Sequence, residues 1–189
     1  MRAAARGAAP SRDLRWVSSL VDREALRRHT IAVLVDNEAG VLARVIGLFS
    51  GRGYNIESLT VAEVDPVEHL SRITIVTSGT AMIIEQIKAQ LARLVPVHQV
   101  NDLTLEGPFV SREFALIKVA GKGEARVESL RIADIFRARV VDSTTSSFTF
   151  EMTGSTEKLD AFINLLRPLG LVEIARAGAV AMARGHKGS

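Results

Sequence analysis

The residues that could catalyse a reaction or hold a metal ion are few and far apart in the sequence. The chain has no cysteine, and none of its four histidines lies within four residues of another. The histidines are His29, His69, His98 and His186. Because metal ligands in proteins usually recur at short spacings, the sequence predicts no metal site.

One stretch is rich in hydroxyl groups, from Asp142 to Thr145. A hydrolytic site needs a base close to its nucleophile, and no His or Lys lies nearby in the sequence. We therefore interpret this stretch as a polar hairpin turn. The sequence predicts no catalytic residue, so the chain is not an enzyme by itself.

The strongest candidate for ligand binding is the segment DNEAGVLARVIGLFSGRGYNIESL, which starts at Asp36. A small polar turn leads directly into an amphipathic helix. The first free N–H groups of this helix come from Gly40, Val41 and Leu42, and they carry partial positive charge. Glycine at the start of the helix also lets a ligand approach the backbone closely. The segment thus predicts a binding site for a small carboxylate.

Two asparagines flank this helix in the sequence. The amide groups of Asn37 and Asn55 could bind the ammonium and carboxylate groups of a ligand. The alternative is purely structural: Asn37 only shapes a turn, and Gly40 only eases the entry into the helix. The spacing of the residues leaves both readings open.

Length and composition limit the classes of protein. The chain has 189 residues, of which 47% are hydrophobic, which is enough for one large or two small cores. No run approaches the roughly 18 apolar residues of a membrane span. The absence of cysteine excludes disulfides and favours a reducing compartment.

The positive charge is concentrated near the N-terminus. Residues 1–28 contain seven arginines and three acids, whereas residues 29–189 hold 17 basic and 18 acidic groups. Aromatic residues make up only 5% of the chain. A nucleic-acid-binding protein normally shows a basic stripe with stacking aromatics, so we predict no nucleic-acid partner.

Residues 1–28 form an extension that is rich in Ala and Arg. Leu14, Val17 and Val21 recur at helical spacing within it. We interpret it as a loosely ordered extension or as an amphipathic helix packing on the body. An organellar transit peptide, which is also rich in Arg and poor in acids, is the less favoured alternative.

Hydrophobic periodicity predicts a β-α-β-β-α-β order for the residues that follow. Between Ile56 and Leu59 the alternation of inward-facing and outward-facing residues shifts by one position, which predicts a bulge in the second strand. The predicted strands are 29–35, 55–64, 70–77 and 97–105, and the predicted helices are 41–50 and 80–95.

Gly107 and Pro108 mark a boundary, after which the same order starts again. Ser155 caps the second helix of this part, and Pro168 and Gly170 end it. The predicted strands are 113–119, 140–142, 147–153 and 171–175, with 180–182 as an extension of the last, and the first helix is 124–136. The predicted fold is α+β, with two tandem ferredoxin-like units at 29–107 and 108–185.

Six motifs follow one another along the chain: VDNEAGVLARVIGLFSGRGYNIESLTV, LSRITIV, EQIKAQL, SREFALIKV, IFRARVVD and VEIARAGAVAMARG. In this order they closely resemble one known family, the regulatory small subunits of acetolactate synthase (acetohydroxyacid synthase). The resemblance covers about residues 29–185, and its first unit is similar to an ACT domain, a module that binds amino acids.

The resemblance implies a cytoplasmic or plastid homodimer, paired through the ACT domain, that regulates the synthesis of valine, leucine and isoleucine. Such a protein binds valine or another branched-chain amino acid, activates a separate catalytic large subunit and confers feedback inhibition. Thiamine diphosphate, Mg and FAD belong to that partner, and this chain needs no cofactor. The alternative is an amino-acid-responsive ACT regulator of another enzyme or of transcription.

The resemblance also implies the effector-binding residues. In such dimers the loop of one protomer faces the Asn-Ile segment of the other, so a complete site needs two chains. The implied residues are Asn37, Gly40, Val41, Leu42, Asn55 and Ile56.

Overall fold

A computed structural model of the chain describes residues 25–185. The expectations for the helical pattern at Leu14, Val17 and Val21, and for His186, lie outside these residues. None of the helices between residues 25 and 185 is long and apolar enough to cross a membrane.

The first unit is a four-stranded antiparallel sheet covered on one face by two helices. The elements are β1 (Arg27–Asp36), α1 (Val41–Ser50), β2 (Ser58–Asp65), β3 (Leu70–Gly79), α2 (Ala81–Leu91) and β4 (Val97–Asp102). The strands stand in the order β2-β3-β1-β4. Alternate residues of β1, such as Ile31 and Val33, are buried under the helices, as the period of two in the sequence predicts.

The second unit repeats this arrangement. A short helix α3 (Leu103–Glu106) leads into β5 (Phe109–Val119), α4 (Glu124–Phe136), β6 (Arg139–Ser143), β7 (Phe148–Gly154), α5 (Thr156–Leu166) and β8 (Leu171–Ala183). The strand order is β6-β7-β5-β8, and residues such as Ile117, Phe150 and Phe162 form the core. The predicted α+β fold with two tandem ferredoxin-like units is confirmed, whereas the exact domain boundaries stay a prediction.

Strand β2 begins at Ser58, so the prediction that it starts at residue 55 is wrong. The carbonyl of Asn55 accepts a hydrogen bond from Thr77 Oγ1 at 2.6 Å, where a regular strand would use a backbone partner. The register shift falls between Glu63 and Asp65, at the far end of the strand from the predicted bulge. Residues 55–57 are thus an irregular link between α1 and β2.

In the second unit, β5 starts at Phe109, four residues before the predicted start, and β8 runs on to Ala183, which includes the extension predicted at 180–182.

Two further boundaries of the first unit differ from the predictions. Helix α2 ends at Leu91, four residues earlier than predicted, because the following proline disfavours helical backbone for Val95 and turns form before it. Strand β4 ends at Asp102, whose side chain accepts a hydrogen bond from Thr104 N at 3.0 Å and caps α3. The alternating pattern of residues 97–105 conceals this helix.

Two His–Asp pairs join elements of the first unit in contrasting environments. His29 Nδ1 lies 2.8 Å from Asp102 Oδ2, and these side chains are 4% and 1% exposed. His98 Nε2 lies 2.6 Å from Asp36 Oδ1, and these side chains are 50% and 37% exposed. The buried pair ties the start of β1 to the junction between the two units.

We predict that Asp102→Ala lowers the free energy of unfolding by roughly 2–4 kcal/mol, because it removes a helix cap and leaves His29 buried without its partner. Asp36→Ala breaks only the exposed pair and should cost less than about 1 kcal/mol. Urea denaturation of both variants checks this. Equal losses would contradict the structural role of the buried pair.

Candidate functional site

The N-terminus of α1 is open toward solvent. Gly40 is its N-cap residue, with φ 86° and no side-chain cap. Helical bonding starts with Arg44 N donating to Gly40 O at 3.0 Å, and Val41 N lies 3.4 Å from Glu38 O, a weak interaction. An ideal Cβ built at Gly40 would meet no atom within 4 Å. The backbone donors at this end of the helix are therefore accessible to a ligand.

Contacts on both sides hold the loop that precedes α1. Asn37 N donates to His69 O at 2.6 Å, which attaches the loop to the turn between β2 and β3. Asn37 Nδ2 donates to Glu63 Oε1 at 2.9 Å, near the end of β2. This places Asn37, Gly40 and the first turn of α1 together, as the sequence predicts. Glu63 was missed, because its contact joins residues 26 positions apart and no local pattern indicates it.

The second predicted segment is held at its backbone and leaves its asparagine side chain exposed. Besides the bond from Thr77 to the Asn55 carbonyl, Glu57 N donates to Val76 O at 2.8 Å. Glu57 also accepts hydrogen bonds from Arg28 Nε at 2.8 Å and from Ser78 Oγ. Ile56 packs partly against the core of the first unit. The segment thus presents the Asn55 side chain to solvent on a fixed backbone.

Within one chain, the two predicted segments lie at opposite ends of the first sheet. Asn55 is bonded to Thr77, which pairs with His29 at the start of β1, whereas Asn37 follows the end of β1. The eight residues of strand between these levels correspond to about 26 Å. One chain therefore cannot place Gly40 and Asn55 around the same small ligand.

The side chains at the start of α1 divide between the core and the surface. Val41 is 4% exposed and belongs to the core, so only its backbone faces the loop. Leu42 and Ile46 are 38% and 36% exposed, and Val61 on β2 is 41% exposed. Leu42 and Ile46 are among the apolar residues of the predicted amphipathic helix. The structure instead leaves them on the surface, on the helical side of the sheet.

The hydroxyl-rich stretch leads from the end of β6 into a hairpin turn, as predicted. Thr144 N donates to Ser147 O at 2.9 Å, and Thr144 Oγ1 accepts from Ser147 N at 2.9 Å. The Thr144 hydroxyl group is thus engaged in holding the turn. In residues 25–185, no three His, Cys, Asp or Glu side chains are grouped so as to hold a metal ion.

Two protein-family models match the chain, one for each unit. The model for an AHAS small subunit-like ACT domain matches residues 31–99. The model for the small subunit of acetolactate synthase matches residues 112–185.

Individual relatives agree with these models. The chain is 49% identical over 160 residues to a probable acetolactate synthase small subunit of Archaeoglobus fulgidus, covering 85% of this chain and 99% of that protein. It is 47% identical over 161 residues to the acetolactate synthase isozyme 3 small subunit of Salmonella typhimurium, covering 85% and 98%. It is also similar to the crystal structure of an acetolactate synthase small subunit from Thermotoga maritima, with a TM-score of 0.77, 41% identity and coverage of 85% and 99%.

We predict that Gly40→Asp folds with a free energy of unfolding within about 1 kcal/mol of that of the wild-type chain. The new side chain enters open space, aspartate tolerates positive φ better than most residues, and its charge favours the helix dipole. Gly40→Val should cost about 2 kcal/mol or more, because a β-branched residue is strained at this φ. Urea denaturation measures both variants, and a loss for Gly40→Asp as large as that for Gly40→Val would refute the prediction.

Proposed function

The chain belongs to the family of acetolactate synthase small subunits, and from this premise we propose that it is the regulatory subunit of an acetolactate synthase. In this proposal it activates a separate catalytic large subunit and makes that enzyme sensitive to inhibition by valine or another branched-chain amino acid. The observation that carries the proposal is the open N-terminus of α1 at Gly40, where backbone donors face solvent.

The chemistry of this site suits a free amino acid. The N–H groups at the start of α1 would bind the carboxylate of the ligand. Asn37 uses its amide nitrogen on Glu63, which leaves its amide oxygen as an acceptor for the ammonium group. Leu42 and Ile56 would supply apolar contacts for a branched side chain.

A homodimer would complete the site, because β2 is one of the two outer strands of the first sheet and follows the Asn-Ile segment directly. Antiparallel pairing of two β2 strands about a two-fold axis near Leu59 would join two four-stranded sheets into one of eight strands. Such pairing brings residue 55 of one chain beside Glu63 of the other, and Glu63 already holds the Asn37 loop. The loop of each protomer would then face the Asn-Ile segment of its partner, giving two sites per dimer.

The surface next to this edge supports the same pairing. Leu42, Ile46 and Val61 are apolar, partly exposed and situated on the helical side of the sheet. Side-by-side dimerisation would cover them together with the unpaired edge of β2.

In this proposal the partner subunit carries out the catalysis. Thiamine diphosphate, magnesium and FAD would be bound by the catalytic large subunit, and this chain alone would form no acetolactate from pyruvate. We place the assembly in the cytoplasm, which the cysteine-free composition favours.

We predict that Gly40→Asp and Asn55→Ala remove or strongly weaken valine inhibition of the enzyme reconstituted with its catalytic subunit. The aspartate would occupy the place of the ligand carboxylate and repel it. Loss of one charge-assisted hydrogen bond at Asn55 costs on the order of 1.5–3 kcal/mol, which is roughly a tenfold to hundredfold loss of affinity. The assay is valine inhibition, with activity in the absence of valine measured alongside.

Gly123→Asp is the matched control for this experiment. Gly123 is also an N-cap glycine with positive φ, no side-chain cap and open space around its Cβ position, but it begins α4 in the second unit. It should keep valine inhibition. If Gly40→Asp activates normally and remains as valine-sensitive as the wild type, the effector site lies elsewhere.

We also predict that Ile46→Glu shifts the protein from dimer to monomer at micromolar concentration, because it places a charge in the proposed helix-side interface. Ile135→Glu is the control, since Ile135 is a 75% exposed helical isoleucine in the second unit. Sedimentation velocity distinguishes the two. A wild-type chain that is monomeric, or an Ile46→Glu variant that stays dimeric, would contradict this interface.

A further inference from the structure

The last strand of the second unit lies against the face of the first sheet that the helices leave open. Ala179 N of β8 donates to Ser58 Oγ at 2.9 Å, and Ala179 O accepts from Thr60 Oγ1 at 2.8 Å. Ser58 and Thr60 both belong to β2. Farther along, Arg72 Nη2 donates to Ala181 O at 3.0 Å. We call the two bonds at Ala179 the β8 clamp.

Gly178 allows the clamp to form. Its φ is +80°, and an ideal Cβ at this position would lie 2.8 Å from Ser58 Oγ and 3.0 Å from Thr60 Oγ1. Any side chain here would force those hydroxyl groups to move, and they are the groups that bond Ala179. The clamp therefore requires glycine at this position for its space as well as for its backbone conformation.

The second unit holds its own side of the clamp firmly. Arg176, two residues before Gly178, donates from Nε to Glu113 Oε2 at 2.9 Å and from Nη1 to Asp160 Oδ1 at 2.6 Å. Glu113 is 4% exposed. These bonds tie β8 to β5 and α5 next to the point where it meets β2.

The clamp holds β2 directly after the segment that forms half of the proposed effector site. Ser58 stands three residues after Asn55, and the link between them is held on its other side by Thr77 and by the partners of Glu57. The side chain of Asn55 is exposed, so its place depends on the backbone around it. A binding group must be held to about 0.5 Å to keep its hydrogen bonds.

We propose that Ser58, Thr60 and Gly178 are positioning residues for effector binding: through the β8 clamp, the second unit fixes the Asn55–Ile56 segment in its ligand-binding position. This inference rests on the proposed function. The proposal makes the contact between β8 and β2 a determinant of effector affinity, although no residue of the clamp touches the ligand.

The test compares Gly178→Ala with Gly185→Ala in the full-length protein. Gly185 also has positive φ, +90°, but its Cβ position is open, so this control carries the backbone strain without touching the clamp. We expect Gly178→Ala to weaken valine binding by roughly tenfold in isothermal titration, and Gly185→Ala to change it less than about twofold. For both variants, activation of the catalytic subunit without valine should stay within about twofold of the wild-type value. General destabilisation would reduce activation as well as valine binding, so weakened binding with normal activation excludes it.

Thr60→Val offers a milder variant that keeps the shape of the side chain and removes its hydroxyl donor. We expect it to weaken valine binding by about threefold to tenfold. If both Gly178→Ala and Thr60→Val bind valine as the wild type does, the inference is wrong while the proposed function stands. If the wild-type chain binds no branched-chain amino acid, the proposed function itself fails.

Discussion

Helix α1 holds Gly40 and Asn55, the two halves of the proposed site, apart within one chain. The need for a second chain follows from this separation. The ten residues of α1 span about 15 Å, with Gly40 at the open N-terminus and Asn55 beyond the C-terminus. The helix is fixed against the sheet by Val45 and Phe49, which are almost fully buried. No loop movement that preserves this core can bring the two ends together. A ligand that needs both must therefore be shared between two chains.

The first sheet also contacts the second unit, through the face that its helices leave open. β8 is an outer strand, and outer strands expose N–H and C=O groups that need partners. At Ala179 these partners are side-chain hydroxyl groups of β2 instead of another strand. Strand β2 thus has three roles: its outer edge is available to a second copy, its start follows Asn55, and its open face holds the second unit.

Sequence patterns predicted the local features and missed those that depend on distant contacts. The bounds of α1 and α4 were predicted correctly, because glycines flank α1 on both sides and Gly121 and Gly123 precede α4. The start of β2 was wrong, since Thr77 takes the carbonyl of Asn55 and no local pattern indicates that bond. The role of Gly178 was also missed. It depends on Ser58, 120 positions earlier, so only the folded chain reveals why the position needs glycine.

The central claim, a site shared between two chains, is tested most directly by mixing two defective proteins. Gly40→Asp and Asn55→Ala homodimers are each titrated with valine, and then titrated again after co-refolding. A mixed dimer would contain one site with both wild-type segments and one with neither. The account predicts weak or absent binding for each homodimer and recovery of wild-type affinity in the mixture, at one site per mixed dimer. No recovery in a mixture shown to contain the mixed dimer would contradict it.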